Sequence, residues 1–379
     1  MFHLNGFRRS FAPLFILILF SGIHLESSAQ QSPTDTEQTP PPTDAISRPL
    51  TLEPAPPPTT KVEVNPQDVV RVEIDLTNIL LTAIDKNKRF VTTLRQEDVR
   101  VLENDVPQEV FTFQRETDLP LSLAILIDVS KSQELTLPDE KAAARLFVDS
   151  ILRPEKDHAA IISFTGYATL EQELTNNVAS LQRAIDRVQI VYPADGGGSQ
   201  GGVTPVADVD LDPTSHLRGW TGIWDAMWVS VNEVLSQTPG TTRRAIILLT
   251  DGEDTSSRVP RDEAVDRAVK ANVVVYAIGI GDRDRYNVYE SILRKVSEKT
   301  GGRAFFPKGK TDLQAAFEQI QQELRSQYLI AYSSTNKMRD GTYRKVRIEI
   351  VNPELRKQKL RLLYRQGYYA KQQAATRTN

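Results

Sequence analysis

The chain has no cysteine among its 379 residues, which removes disulfides, thiolate metal sites and cysteine nucleophiles together. Any core must therefore hold by packing alone. Histidine is almost as scarce. Of the four present, His3 and His24 fall in an N-terminal leader, so a histidine-built zinc site is not expected. An excess of charge of one sign is lacking too: a formal net charge of -3 gives no overall pull toward nucleic acid or acidic lipid, and no nucleic-acid partner is expected. Basic residues gather only locally, at Arg344, Lys345, Arg347, Arg356, Lys357, Lys359, Arg361 and Arg365. Apolar residues interleave with them, as on the solvent-facing positions of strands. What is present is ordinary: 40% hydrophobic and 25% charged residues, the composition of a soluble globular protein with length for about two to three domains.

Residues 1–29 read as a secretory signal, with Arg8 and Arg9 at its start, an apolar run from Leu14 to Phe20, and small residues at Ser27-Ser28-Ala29. The run is shorter than the roughly 20 residues of a spanning helix, so cleavage after Ala29 is expected over retention as an anchor. The expectation is an exported protein of a bacterium, periplasmic, secreted or at the cell surface. Residues 30–61 form a proline-rich linker. Nine of the chain's 22 prolines lie among Thr, Gln, Ser and Asp there, a mixture too polar to offset its ordering entropy.

Three patterned zones follow. In residues 62–117 the apolar period is two. Val70, Val72, Ile74 and Leu76 alternate with charge, and further strands are expected at Ile79–Ile84, Val99–Leu102 and Val110–Phe113. From 118 to 327 continuous apolar strands alternate with amphipathic helices: Leu123–Ile127, Ala160–Phe164, Ala245–Leu249 and Val273–Ala277 suit a mostly parallel sheet covered on both faces. Thr175 is expected to cap one helix, Pro260 to open another, and Gly301-Gly302 to end a third; Leu313, Phe317, Ile320 and Leu324 form the stripe of the last. Residues 328–370 return to period two, and 371–379 are a tail. The fold class expected is α/β, doubly wound, inserted between two β-rich segments that together make a small β-sandwich, since each segment alone is too small for a core.

The chemistry sits at strand ends. The first α/β strand ends in Asp128-Val129-Ser130-Lys131-Ser132, and doubly wound sheets form sites at their carboxyl edge. One carboxylate and two hydroxyls at alternate positions suit a small hard cation. A second strand ends in Thr250-Asp251-Gly252-Glu253-Asp254, and between them Gly219-Trp220-Thr221-Gly222 opens a helix. Asp128, Ser130, Ser132, Thr221 and Asp251 resemble the metal-ion-dependent adhesion site (MIDAS) of von Willebrand factor A domains, with every position of that motif filled. Together with Gln327–Tyr332 and the closing Gly367-Tyr368-Tyr369, the chain from about residue 62 to 370 resembles the acidobacterial-type family of exported proteins related to that domain.

The resemblance implies Mg²⁺, or Mn²⁺ or Ca²⁺, held directly by Ser130 and Ser132, by Thr221 in one state, and by Asp128 and Asp251 largely through water. It also implies a partner protein that offers an acidic side chain as the last ligand, and no catalytic residue. The other reading is a structural or assembly component of a cell-envelope complex, docked without metal control. Gly197-Gly198-Ser199-Gln200-Gly201 matches a hydrolase nucleophile elbow in letters only, because Pro193 interrupts the strand it needs and Pro205 the helix. Gly279-Ile280-Gly281 lacks the third glycine of a dinucleotide loop and reads as close packing. The Gly-rich stretch 193–216, with Asp208, Asp210 and Asp212, reads as a ligand-contact loop or an insertion. Trp220, Trp224 and Trp228, four apart, read as one packed helix face, with Trp220 the one that could turn to a ligand.

Overall fold

A computed structural model describes residues 76–115, 119–192, 220–281 and 287–372, together with the backbone of Arg48–Pro49. All of these belong to one compact unit, Asp44–Asn379. The strands are β1 (Arg48–Pro49), β2 (Leu76–Ile84), β3 (Val99–Glu103), β4 (Val106–Gln108), β5 (Val110–Arg115), β6 (Leu121–Asp128), β7 (His158–Phe164) and β8 (Ala168–Thr175). They continue as β9 (Arg243–Thr250), β10 (Val273–Gly279), β11 (Ala304–Phe305), β12 (Tyr328–Ser333), β13 (Tyr343–Ile350), β14 (Arg361–Leu363) and β15 (Gly367–Tyr369). The helices are α1 (Leu137–Ile151), α2 (Val178–Arg187), α3 (Ile223–Val229), α4 (Arg261–Lys270), α5 (Glu290–Thr300), α6 (Lys310–Leu324) and α7 (Pro353–Lys357).

The main sheet runs β1-β8-β7-β6-β9-β10-β11. Strands β7, β6, β9, β10 and β11 are parallel, while β8 and β1 are antiparallel at one edge. Every residue of β6 is buried because both faces are covered. Leu121, Leu123, Ile125 and Ile127 face a cluster built from α1, α2 and α6; Ala124 and Leu126 face another built from α3, α4 and α5. That two-sided burial is why the strand is continuously apolar, and each large aliphatic side chain buried there contributes about 1.5–3 kcal/mol. Counted within the α/β part, the order is that of a doubly wound sheet, with its switch point between β6 and β9.

The β-rich segments pair with each other, as expected. One four-stranded sheet runs β14-β2-β12-β5 and the other β15-β13-β3-β4. Ile79 and Leu81 of β2 and Tyr328 and Ile330 of β12 share one core with Val101 of β3 and Val346 of β13, so the two sheets lie face to face. Each sheet draws strands from both sides of the α/β insertion. Glu103 fastens the two sheets: its carboxylate accepts from Tyr332 and Tyr368 hydroxyls at 2.9 and 2.7 Å and from Ser334 at 2.5 Å, and Arg344 stands 3.4 Å away.

Several expectations need correcting or placing. Asn177, not Thr175, caps α2, its side chain accepting from Ser180 N at 3.1 Å; Thr175 instead accepts from Asn177 N. Trp220 lies ahead of α3, so the three tryptophans do not share a helix face: Trp224 is buried, Trp228 half-buried under Arg267, and Trp220 is 53% exposed. The expected strand from Val70 lies outside the described residues until Leu76, as do the whole 193–216 stretch and the tail beyond Gln372.

The chain passes between the two parts at Leu119–Leu121 and Leu324–Tyr328. Arg243, which opens β9 and is buried, donates to the carbonyls of Leu324 and Leu119 and to Gln327 Oε1; Arg153 donates to Leu119 O at 2.8 Å, and Asp157 accepts from Leu121 N at 2.9 Å. Replacing Arg243 by Ala leaves those buried acceptors without their donor, a loss of about 2 kcal/mol. Urea unfolding should show a lower midpoint; an unchanged one would mean that the junction does not depend on Arg243.

Candidate metal centre

At the switch point, β6 hands the chain to α1 on one face and β9 hands it to α4 on the other. The last paired residues there are Ile127 and Leu249, and beyond them the two loops part and leave a crevice. Asp128 stands at its floor, fully buried. Its Oδ1 accepts from Ser130 N at 3.0 Å, which folds the Asp128–Ser132 segment back on itself, and its Oδ2 accepts from Thr250 Oγ1 at 2.6 Å, which ties it to β9. Ser130 Oγ and Ser132 Oγ lie 3.1 Å apart.

Asp251 enters from the opposite loop. Its Oδ1 accepts from Glu253 N at 2.9 Å, whereas its Oδ2 is buried and has no hydrogen-bond partner. Gly281 makes the space beside that oxygen: a Cβ there would come within 3.1 Å of Asp251 Cβ and 3.9 Å of Gln133 Nε2. Burial, with the Asp251 charge second, pushes the Asp128 carboxyl up to about 7. Burial also raises Asp251, against the Ser132 hydroxyl, which pulls the other way.

Thr221 is held at the rim by its backbone. Its carbonyl accepts from Thr255 N at 2.8 Å and Ser256 N at 3.0 Å, and its N–H donates to Thr255 Oγ1 at 2.8 Å. The next residue, Gly222, donates to Thr165 O at 2.6 Å, and a side chain there would press on that carbonyl at 3.2 Å. Asp128, Ser130, Ser132 and Asp251 thus form one cluster, and Thr221 is laced to the loop that carries Asp251.

Residues outside the motif complete the arrangement. Thr250 bonds Asp128 directly. Gln133, fully buried, donates to Ser132 Oγ at 3.3 Å. Asp254 accepts from Ile223 N at 2.8 Å and Ser257 Oγ at 2.5 Å, and Asp225 accepts from Val259 N at 2.8 Å, so both acids sew the Thr221 segment to the β9 loop. Glu140 is the least foreseen. It is fully buried on α1, neither carboxylate oxygen has a hydrogen-bond partner, and burial, eased by the nearby Thr136 hydroxyl and worsened by the Asp128 and Asp251 charges, pushes it up to about 8. A signal was available: Leu137, Glu140, Ala144 and Ile151 share the core stripe of α1, where an acid is out of place.

Among the described residues no three His, Asp or Glu side chains converge on one point. The cluster of two carboxylates and two serine hydroxyls is not of that kind. It fits a hard divalent cation of modest ligand charge instead, since Asp251 Oδ2 is a buried acceptor without a hydrogen-bond partner, and all the donors are oxygen.

Residues 209–323 match the family model described as von Willebrand factor type A domain. An uncharacterized protein of Borreliella burgdorferi is 22% identical over 264 residues, 64% of this chain and 65% of that protein, so the chain spans under two thirds of that relative's length. Among solved structures, the conserved hypothetical protein BatB from Bacteroides thetaiotaomicron has 18% identity and a TM-score of 0.40, over 54% of this chain and 99% of its own. The von Willebrand factor type A protein from Catenulispora acidiphila has 13% identity and a TM-score of 0.43, over 80% and 74%. Proximal thread matrix protein 1 from the mussel byssus, with a zinc-occupied MIDAS motif, has 19% identity and a TM-score of 0.44, over 59% and 50%. The strand order and its crevice define a doubly wound α/β domain with a polar cluster at its switch point. Residues 209–323 of that domain carry the match to the von Willebrand factor type A model, and such domains generally serve as protein-interaction modules.

The raised carboxyls set a pH dependence. Asp128 and Glu140 hold protons more tightly folded than unfolded, so in metal-free protein their contribution is fully present below pH about 4 and is lost as pH rises through about 7 and 8. Asp157, lowered mainly by Arg153 and backbone N–H groups against burial, contributes steadily above pH about 4 and does not enter this window. Metal-free protein should therefore melt at a higher temperature at pH 5.5 than at pH 8, and Glu140→Gln should raise the pH 8 value. Scanning calorimetry in metal-free buffer decides; a midpoint rising with pH would show that these acids are not buried as protonated groups.

Proposed function

We propose that this protein is an exported, non-enzymatic binding protein that captures a partner through a divalent cation at Asp128, Ser130, Ser132, Thr221 and Asp251. The observation that carries the reading is Asp251 Oδ2, a buried carboxylate oxygen without a hydrogen-bond partner, on the strand end next to Asp128, whose carboxyl its charge helps to raise. Leaving such an acceptor unsatisfied costs about 1–3 kcal/mol, and a cation is the group of matching charge and size. Mg²⁺ suits the donors best, with Mn²⁺ and Ca²⁺ as alternatives. When bound, the ion supplies an electrophilic point able to accept an acidic side chain of a partner protein.

The chain's own groups set the conditions for that. Asp128 anchors the serine loop to β9 through Thr250. Thr221 and Trp220 form a rim from which the partner is met, and the loop of Asp251 moves only with the Thr221 segment because Asp254 and Asp225 join them. Export rests on the N-terminal leader pattern, and association with a bacterial cell envelope, in the periplasm or at the surface, follows from it. No helix among the described residues is long and apolar enough to cross a membrane.

Asp128→Ala should abolish Mg²⁺ binding in calorimetry while the circular dichroism spectrum stays that of the parent, and Asp251→Asn should weaken binding by about tenfold or more, near 1.4 kcal/mol per decade. Unchanged affinity in Asp128→Ala would remove the assignment. Pull-down from envelope extract should lose its specific band on adding chelator; a band indifferent to chelator would mean constitutive docking as an assembly component.

A further inference from the structure

A second recess lies at the far end of the α/β sheet. Val269, Lys270 and Asn272 lead into β10 at its first residue, whereas Thr250 and Gly279 mark the metal edge, so about 20 Å of strand separates the two. Here the end of α4 faces the sandwich, and a cleft of about 510 Å³ opens between Asn78 of β2, the Ser333–Arg339 turn and the Tyr368–Lys371 strand end. Its walls carry Lys270, Lys337, Arg339, Arg344, Arg365 and Lys371 and, among the described residues, no Asp or Glu.

Three of these cations, Lys270, Lys337 and Arg365, form no ion pair among the described residues, whereas Arg339 and Lys371 have partners. Arg344 is answered by Glu103 inside the sandwich. Arg365, in contrast, donates only to uncharged oxygens, those of Val269, Asn272 and Asn78, and its Nε is buried without a partner. Lys270 lies 4.7 Å over the Tyr369 ring, and Lys337 donates to Ser333 Oγ at 2.7 Å; among the described residues neither forms an ion pair. Two neighbouring acids are engaged, Asp266 with Lys299 at 2.7 Å and the Tyr369 hydroxyl at 2.5 Å, and Asp340 with Thr342 and, through its charge, with Arg344. Like charges gathered in a recess repel one another, and a dense anion is what relieves them.

We propose that this cleft, framed by Lys270, Lys337 and Arg365, binds a phosphoryl-bearing small molecule or headgroup. Its size is that of small-ligand pockets, about 300–1,000 Å³, rather than of a docked chain. Lysine ammonium groups serve phosphate as point charges, and a phosphoryl group offers more charge and more acceptor oxygens than one carboxylate. Tyr368 and Tyr369 supply a wall for the attached organic part.

Calorimetry of the full chain with inorganic pyrophosphate, in metal-free buffer of low ionic strength, tests this. Saturable binding is expected for the parent and for Asp128→Ala alike, weakened about tenfold in the double variant Lys270→Gln/Lys337→Gln. A charge-matched control, Lys345→Gln/Lys359→Gln, should bind as the parent does. Flotation with phosphatidylglycerol vesicles, compared with phosphatidylcholine alone, assigns the source: pyrophosphate binding without flotation means a free phosphoryl ligand, and flotation lost in the double variant means a lipid headgroup. Equal weakening in the control pair would reduce the effect to general surface charge and overturn the proposal. So would an absence of both pyrophosphate binding and flotation, or binding of an oligoglutamate peptide alone.

Discussion

Two carboxylates, Asp128 and Asp251, are brought out of water on adjacent strand ends of one sheet, and the rest of the molecule is arranged around the cost of keeping them there. Burial raises both carboxyls, and at Asp128 the Asp251 charge adds to it. The cost would be avoided by apolar residues, which could close the crevice at little expense. The chain instead spends an Asx-type fold at Ser130, a side-chain bond from Thr250 and the room left by Gly281 on keeping these acids in fixed positions. Glu140 deepens the same tension from below. In all three buried acids, burial favours the protonated form.

The sandwich bears on this by where it is attached. Both chain crossings, into β6 and out of α6, occur at the amino edge of the sheet, where Arg243, Arg153 and Asp157 hold them. The carboxyl edge is thereby left clear of the protein's own second part. A partner meeting the metal edge would approach from the side opposite the sandwich, and the cationic cleft faces the junction rather than the partner. The two proposed binding surfaces therefore lie at opposite edges of one sheet.

Much of this was readable before any coordinates. The strands β6, β7, β9 and β10 are continuous apolar runs because both faces are covered, and that pattern has few other causes at such lengths. Asp128, Ser130, Ser132 and Asp251 were readable because a loop that begins at a buried strand's end has a fixed place in such a sheet. Strand β8, covered outside only by the two residues of β1, was not: it carries half-buried Thr169 and Gln172 and exposed Glu173, and its buried Glu171 accepts from Ser163 Oγ at 2.7 Å. Asn177 displaced Thr175 as a cap because β8 extends through Thr175, a fact of pairing that no local propensity contains.

Glu140 shows where the boundary of sequence reasoning falls. Its position on the apolar stripe of α1 could be counted, but an acid there is usually read as a helix-start charge, since it belongs to the first turn. Only the packing of α1 against β6 shows that the carboxylate is turned inward, toward Asp128 and Asp251, rather than outward to solvent. Spacing alone fixes which side chains share a face. Whether a charge on that face is an error tolerated at the rim or part of the centre depends on what the neighbouring strand carries at its end, and here that strand carries Asp128.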